Sequence, residues 1–357
     1  RFNKPIVMVG LNCRKVDVAA YTRNQGLEAY VPADQNELGQ LAARLRARKV
    51  FRNTRVQFPT DRGLPAVCSI GSIADLAALK ELHGIEVCKV PFEELAATME
   101  AAQRNAACKH SAEQLAEALV AGADRSFIDR KYVAASGIFY EAVQQLMGTH
   151  DCNAFTIECF ELCASQLAEQ WKITPCLIHS LFRDRGYASS CEADLGALLA
   201  MRLLMSLGQR SCHMGNSDPR GEGTFRINHS VPALKMNGFD EPDLDYQLGR
   251  FVESGWGTKM VVDFMDNEEK TITVARVDPT ARKLLVLRGE LVGSSGWDRD
   301  HLGCSVEALI RPPEGRLDEF LKKRLEFGNH LPWVYGDYTE QLAELGPMAG
   351  LEVDLIA

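Results

Sequence analysis

The stretch SSCEADLGALLAMRLLMSLGQRSCHMGNSDP (189–219) carries one carboxylate, Glu192, at the start of an apolar helical pattern and a second, Asp218, in the loop after the strand that follows. Ala193, Ala197, Ala200, Leu204 and Leu207 fall on one helical face and Gly208 supplies a stop, so the pattern predicts a helix beginning close to Glu192. A helix of roughly 16 residues rises about 24 Å, and a returning strand at about 3.3 Å per residue brings the chain back toward its start. Glu192 and Asp218 are therefore expected at one edge of a sheet, where α/β proteins commonly place ligands. Each also has a plainer reading. Acidic residues in a first helical turn are favoured by the helix dipole, and Asp before Pro219 is ordinary turn chemistry. Asp194 reads as a surface partner or a helix contact.

Upstream, β-type runs such as PIVMVG (5–10), LPAVCSIGS (64–72) and IEVCKV (85–90) alternate with the helical patterns ELGQLAARLRARKV (37–50), IADLAALKELHG (73–84) and SAEQLAEALVAGA (111–123). That rhythm predicts a parallel sheet covered by helices. A second α/β stretch opens at DCNAFTIECFE (151–161), where a strand over 154–157 ends at Glu158. Downstream of His213 the texture changes to β-rich segments separated by Gly, Asp, Pro and Asn turns: TFRINHSVPALKM (224–236), GTKMVVDFMD (257–266), KTITVARVD (270–278) and KLLVLRGELVGSS (283–295). These predict an antiparallel sheet or small barrel. The fold class is thus α/β: a parallel-sheet Rossmann-like domain over 1–212, with subregions 1–150 and 151–212, then a β-rich C-terminal domain over 213–357. No GxGxxG follows any predicted strand and no P-loop pattern occurs, so a nucleotide site has no support.

Composition narrows the function classes. A chain of 357 residues suggests two or three domains, and 46% hydrophobic with 25% charged residues is ordinary for a globular protein. A net charge of −8, with no basic stripe interleaved with aromatics, argues against nucleic acid. No apolar run approaches the roughly 18 residues of a membrane helix, and no secretory signal opens the chain, so it reads as cytoplasmic and free of the membrane. The 11 cysteines are odd in number and hold no CxxC pair, and they read as reduced thiols. The chain starts at Arg1 and runs straight into a strand pattern, which suggests that something upstream is missing.

The sequence CEADLGALLAM, followed in order by HMGNSD, INHSVP and GNHLPWVYGD, resembles the L-fucose and L-arabinose isomerase family, most clearly over residues 150–357. The resemblance implies a C-terminal domain of fucose isomerase type and a divalent metal, usually Mn²⁺, held by Glu192, Asp218 and His330. It implies a homo-oligomer with sites near subunit contacts, and Asn329 as a donor to a sugar hydroxyl. Arabinose isomerases add a further His ligand shortly after the second carboxylate, and His229 is the nearby candidate, for metal or for substrate. Family members also begin with an additional N-terminal α/β domain that is not obvious here. Glu158, at a strand end on the ligand-bearing edge, and Trp333, able to stack on a sugar face, complete the candidate substrate residues. Their plainer readings are a solvated carboxylate and a core indole.

Read from the residues alone, two carboxylates and one neutral imidazole form a hard site that suits Mn²⁺, Mg²⁺ or Co²⁺ better than a thiolate site would. Such a metal would stabilise the charge that develops when a proton moves between C1 and C2 of an open-chain sugar through an enediol. Glu192 and Asp218 are both candidates for the base. The expected function is an aldose–ketose isomerase acting on a sugar or sugar derivative. The competing classes are another metal-assisted carbonyl enzyme, an aldolase or epimerase, and a non-catalytic sugar-binding protein.

Overall fold

The computed structural model describes residues 4–221 and 223–357. In chain order the first half runs β1 (Ile6–Val7), α1 (Cys13–Asn24), β2 (Ala29–Tyr30), α2 (Gln35–Arg52), β3 (Arg55–Pro59), α3 (Leu76–His83), β4 (Glu86–Val90), α4 (Phe92–Arg104), α5 (Ala106–Gly122), β5 (Arg125–Ser126) and α6 (Arg130–Thr149). It continues through β6 (Ala154–Ile157), α7 (Cys159–Ala164), α8 (Leu167–Trp171), α9 (Cys176–Asp184), β7 (Ala188–Cys191) and α10 (Leu195–Gly208). Strands then dominate: β8 (His213–Arg220), β9 (Thr224–His229), β10 (Tyr246–Arg250), β11 (Thr258–Val262), β12 (Thr271–Val277), β13 (Lys283–Ser295) and β14 (Val306–Arg311). The chain closes with α11 (Leu317–Lys323), β15 (His330–Tyr335), α12 (Thr339–Ala349) and β16 (Glu352–Ile356).

The result is a mixed α/β protein. A four-stranded parallel sheet has the order β4-β3-β6-β7. The antiparallel strands β12-β15-β8-β9-β14-β13 are closed by pairing of β13 back to β12, which makes a small barrel, and β16 adds to β13 in parallel. Closure removes the exposed edges that an open antiparallel sheet would leave. β5, from the first half of the chain, pairs in parallel with β10 from the second.

Two local expectations are corrected. LPAVCSIGS (64–72) is not a strand but a loop, and the neighbouring strand is β3, whose RVQFP run ends in proline. This loop reaches the start of α10, where Ser72 donates to the carbonyl of Ala193 and accepts from the amide of Leu195. The central helix also starts later than its pattern implied. α10 begins at Leu195, and Asp194 caps it by accepting from the amide of Ala197. Glu192 lies before the helix, so the helix-dipole reading does not apply to it.

α10 is buried on every side from Leu195 to Met205, not only along the stripe expected from its small residues. A helix apolar all round belongs inside a protein. It packs on α2 and β7 on one side and on β12 and β15 of the barrel on the other, so the two layers share one core. Gly196 allows the approach: a Cβ there would stand 2.6 Å from the carbonyl oxygen of Val277 in β12.

Candidate metal centre

β6 and β7 run parallel with Ile157 opposite Cys191, so Glu158 and Glu192 both leave the carboxyl edge of the sheet. Immediately after β7, Glu192 and Ala193 take left-handed φ values of 58° and 54°. Non-glycine residues hold such angles only where the surroundings impose them, and such turns cluster at functional sites. Here the turn sends the Glu192 carboxylate toward the barrel while the chain enters α10.

From the barrel side, His229 ends β9 and His330 opens β15. β8 lies between them, with Asn216 opposite both His330 and Asn228. The register therefore brings the two imidazoles together, their ring centres 5.4 Å apart. His229 Nε2 stands 3.4 Å from Glu192 Oε1, and His330 Nε2 stands 3.4 Å from Glu192 Oε2. All three residues are buried, at 7% exposure for Glu192, 1% for His229 and 2% for His330. One ligand atom from each lies within 4.8 Å of the others.

Among the described residues, neither buried Nε2 atom has a hydrogen-bond partner, only its 3.4 Å approach to Glu192. Two nitrogens left unsatisfied beside one carboxylate are costly on their own, because a buried polar atom without a partner loses its hydration for nothing. Donor atoms bound about 2.1 Å from a common divalent ion would lie about 3.0–3.4 Å apart. The residues present thus fit a divalent cation.

The second layer fixes the tautomer that such a ligand needs. His330 Nδ1 is 3.0 Å from Asp194 Oδ2 and 3.3 Å from Ser69 Oγ, and an Nδ1–H donated to Asp194 leaves Nε2 with its lone pair free. Asp194 Oδ2 also accepts from Arg276 Nη1 at 2.8 Å. Arg276 in turn donates to the carbonyl oxygens of His330 at 2.6 Å, Phe327 at 2.5 Å and Gly71 at 3.1 Å. Gly328, at φ 112°, admits this guanidinium, since a Cβ would stand 2.6 Å from Nη2. Burial raises the Asp194 carboxyl, but Arg276 and His330 outweigh it and hold it well below the usual carboxylate range. Burial likewise raises Glu192, and the imidazoles of His229 and His330 outweigh it and leave it lowered. On the far side, His229 Nδ1 meets Cys304 Sγ at 3.7 Å. Burial opposes a charged His229, but Cys304 and Glu192 push it up to about 10, and His229 lowers the Cys304 thiol against its own burial.

Of the residues singled out in the sequence, Glu192, His330 and His229 meet in one cluster. Asp218 does not join them. It sits toward the outer end of β8, its side chain 50% exposed, opposite Arg226 in β9 and ion-paired to that residue at 3.0 Å. Its neighbour Pro219 is also part of β8, so the sequence Asp-Pro, read as a turn, lies in an extended strand. Trp333 lies fully buried in the barrel against Phe264 and Tyr335, which gives it to the core and not to a sugar face. Asn329 is engaged in structure: its Oδ1 accepts from the Ser217 amide at 3.0 Å and its Nδ2 donates to Asn216 Oδ1 at 2.5 Å. Glu158 caps α7 by accepting from the amides of Phe160 and Glu161. It follows Ile157, which pairs with Cys191, and so leaves the sheet beside Glu192; burial raises its carboxyl, and the charge of Glu192 adds to that.

The roles of Ser69, Arg276 and Cys304 were not legible beforehand. Arg276 did leave a trace, because Ile272, Val274 and Arg276 share one face of β12 and a charge continues an apolar row. Asp194, read as a surface or helix contact, is the helix cap and also the residue that orients His330.

No family model matches the sequence. Sulfoquinovose isomerases from Priestia aryabhattai and from Priestia megaterium (strain ATCC 12872 / QMB1551) are each 28% identical to it over 182 residues, half of this chain. The matched region spans 39% of the length of those relatives. The similarity is thus to a sugar isomerase, under a different name from the fucose and arabinose isomerases that the sequence motifs resemble.

Proposed function

We propose that this protein is a divalent-metal-dependent aldose–ketose isomerase acting on an open-chain sugar or sugar derivative. The observation that carries the reading is the pair of buried, unpartnered Nε2 atoms of His229 and His330 aimed at the two oxygens of Glu192. The distant similarity to sulfoquinovose isomerases supports the substrate class and makes sulfoquinovose the first sugar to assay.

Glu192, His229 and His330 would hold the ion, in place of the set Glu192, Asp218 and His330 implied by the motifs. When bound, Mn²⁺, Mg²⁺ or Co²⁺ would supply a Lewis acid that stabilises negative charge on the sugar oxygens. Asp194 keeps His330 in the ligating tautomer, and Arg276 keeps Asp194 charged. Glu192 is the carboxylate placed to move the proton between C1 and C2. Asp218 is engaged by Arg226 and drops out of that role. Glu158 is the second carboxyl at this edge, and its raised proton affinity suits a group that both accepts and donates.

The test is turnover in D₂O with Mn²⁺ present, followed by NMR. An isomerase with a shuttled proton places deuterium at C1 or C2 of the product without breaking a carbon bond. Glu158→Gln is expected to lower kcat at least about 100-fold while the protein still binds Mn²⁺. Cleavage of the carbon chain would assign an aldolase, and inversion at one carbon an epimerase. Sugar binding that survives chelation and gives no product would assign a binding protein and overturn the proposal.

A further inference from the structure

The cysteines form no sequence motif, yet the fold brings two of them to the same sheet edge as Glu192. β6 and β7 are neighbours, Ile157 is opposite Cys191, and Cys159 opens α7 two residues beyond Ile157. Cys159 Sγ, Cys191 Sγ and a carboxylate oxygen of Glu192 lie within 4.8 Å of one another. Cys191 is buried, whereas Cys159 is partly exposed and gives the cluster an approach from solvent.

The donor set is two sulfurs and one oxygen, unlike the two nitrogens and one oxygen on the other side of Glu192. Thiolates select thiophilic ions, and Zn²⁺ with three protein ligands plus one open position is a common arrangement. Oxygen-preferring ions such as Mg²⁺ and Mn²⁺ gain little from sulfur. Both Glu192 oxygens face the histidines, so an ion held by the two thiols has to take one of them.

We propose that Cys159, Cys191 and Glu192 form a second cation site, specific for a thiophilic divalent ion such as Zn²⁺ or Cd²⁺, which shares Glu192 with the histidine cluster. On binding, each of the two thiols loses its proton to solvent and two sulfur–metal bonds form. No electron changes hands. Because Glu192 serves both sides, an ion held by the thiols draws an oxygen away from His229 or His330. Zinc would then inhibit the metal-dependent reaction, a consequence that rests on the proposed function, whereas the binding itself does not.

The test is titration of the metal-free full chain with Cd²⁺ under reducing conditions, reading the ultraviolet thiolate-to-cadmium charge-transfer absorption. The signal of interest is the difference between the native sequence and the double variant Cys159→Ser/Cys191→Ser, which removes the contribution of the other thiols. A difference that saturates at one Cd²⁺ per chain is expected. Cys159→Ser alone, at a partly exposed position that tolerates the change, is expected to weaken binding at least about 10–100-fold, the cost of losing even an outer-layer partner. His229→Ala should leave the cadmium difference in place, which separates this site from the histidine cluster. No difference between native and double variant, or an undiminished affinity in Cys159→Ser, overturns the proposal.

Discussion

At the scale of single residues, Asp194 joins structure to chemistry. One oxygen caps α10 and the other faces both His330 and Arg276, so helix start, imidazole tautomer and buried guanidinium depend on one side chain. Removing one partner of a buried ion pair costs about 3–5 kcal/mol, because the remaining charge stays buried without compensation. Asp194→Asn keeps a capping oxygen and nearly the same volume but removes the charge. It is expected to lose about that much stability in urea unfolding and to weaken Mn²⁺ binding about 10–100-fold, the usual cost of losing an outer-layer partner of a ligand. Unchanged stability and unchanged Mn²⁺ affinity would together rule out this role. Glu192 stood out at the start of a patterned helix but alone read as a helix-dipole carboxylate, and His330 entered as a ligand through the family resemblance. Asp194 read only as a contact, since the orienting bond joins residues far apart in the chain.

At the scale of elements, the position of the site follows from α10. The pattern LGALLAMRLLM predicted a one-sided helix, and the structure surrounds it, with the parallel sheet and α2 on one side and the barrel on the other. Periodicity reports which residues are apolar, and alanines and leucines on several faces leave open how many partners a helix has. Gly196 is a point of close approach to β12, and it is there for want of space, not for a special backbone angle. Gly196→Ala is expected to destabilise the protein by about 1–3 kcal/mol through overpacking, even though alanine is the better helix former by about 1 kcal/mol. Urea denaturation checks this, and a gain in stability would show that the helix and β12 are not in contact as described. The β-rich segments were legible as strands from their turns and alternation. The closure of β13 onto β12 was not, because barrel and open sheet share the same alternation.

At the scale of the whole molecule, the candidate centre belongs to no single segment. Glu192 comes from the edge of the parallel sheet, His229 and His330 from two barrel strands, and Ser69 from a loop that the sequence read as a strand. Spacing along the chain predicted that Glu192 meets a second carboxylate at one sheet edge, and the structure leaves that carboxylate, Asp218, outside the cluster. That residue has a cross-strand partner, Arg226, eight positions away, and such pairing is decided by register. His229 entered only through the family resemblance, as a possible extra ligand, and the register of β8, β9 and β15 is what sets it beside His330.

The most direct test of the account is the Mn²⁺ content of the full chain after equilibration with the ion and removal of the excess, measured by elemental analysis for the native sequence and four variants. One Mn²⁺ per chain is predicted for the native protein. Glu192→Gln, His229→Ala and His330→Ala are each predicted to lose it, and Asp218→Asn to retain it. Full Mn²⁺ occupancy in His229→Ala together with its loss in Asp218→Asn would contradict the centre described here.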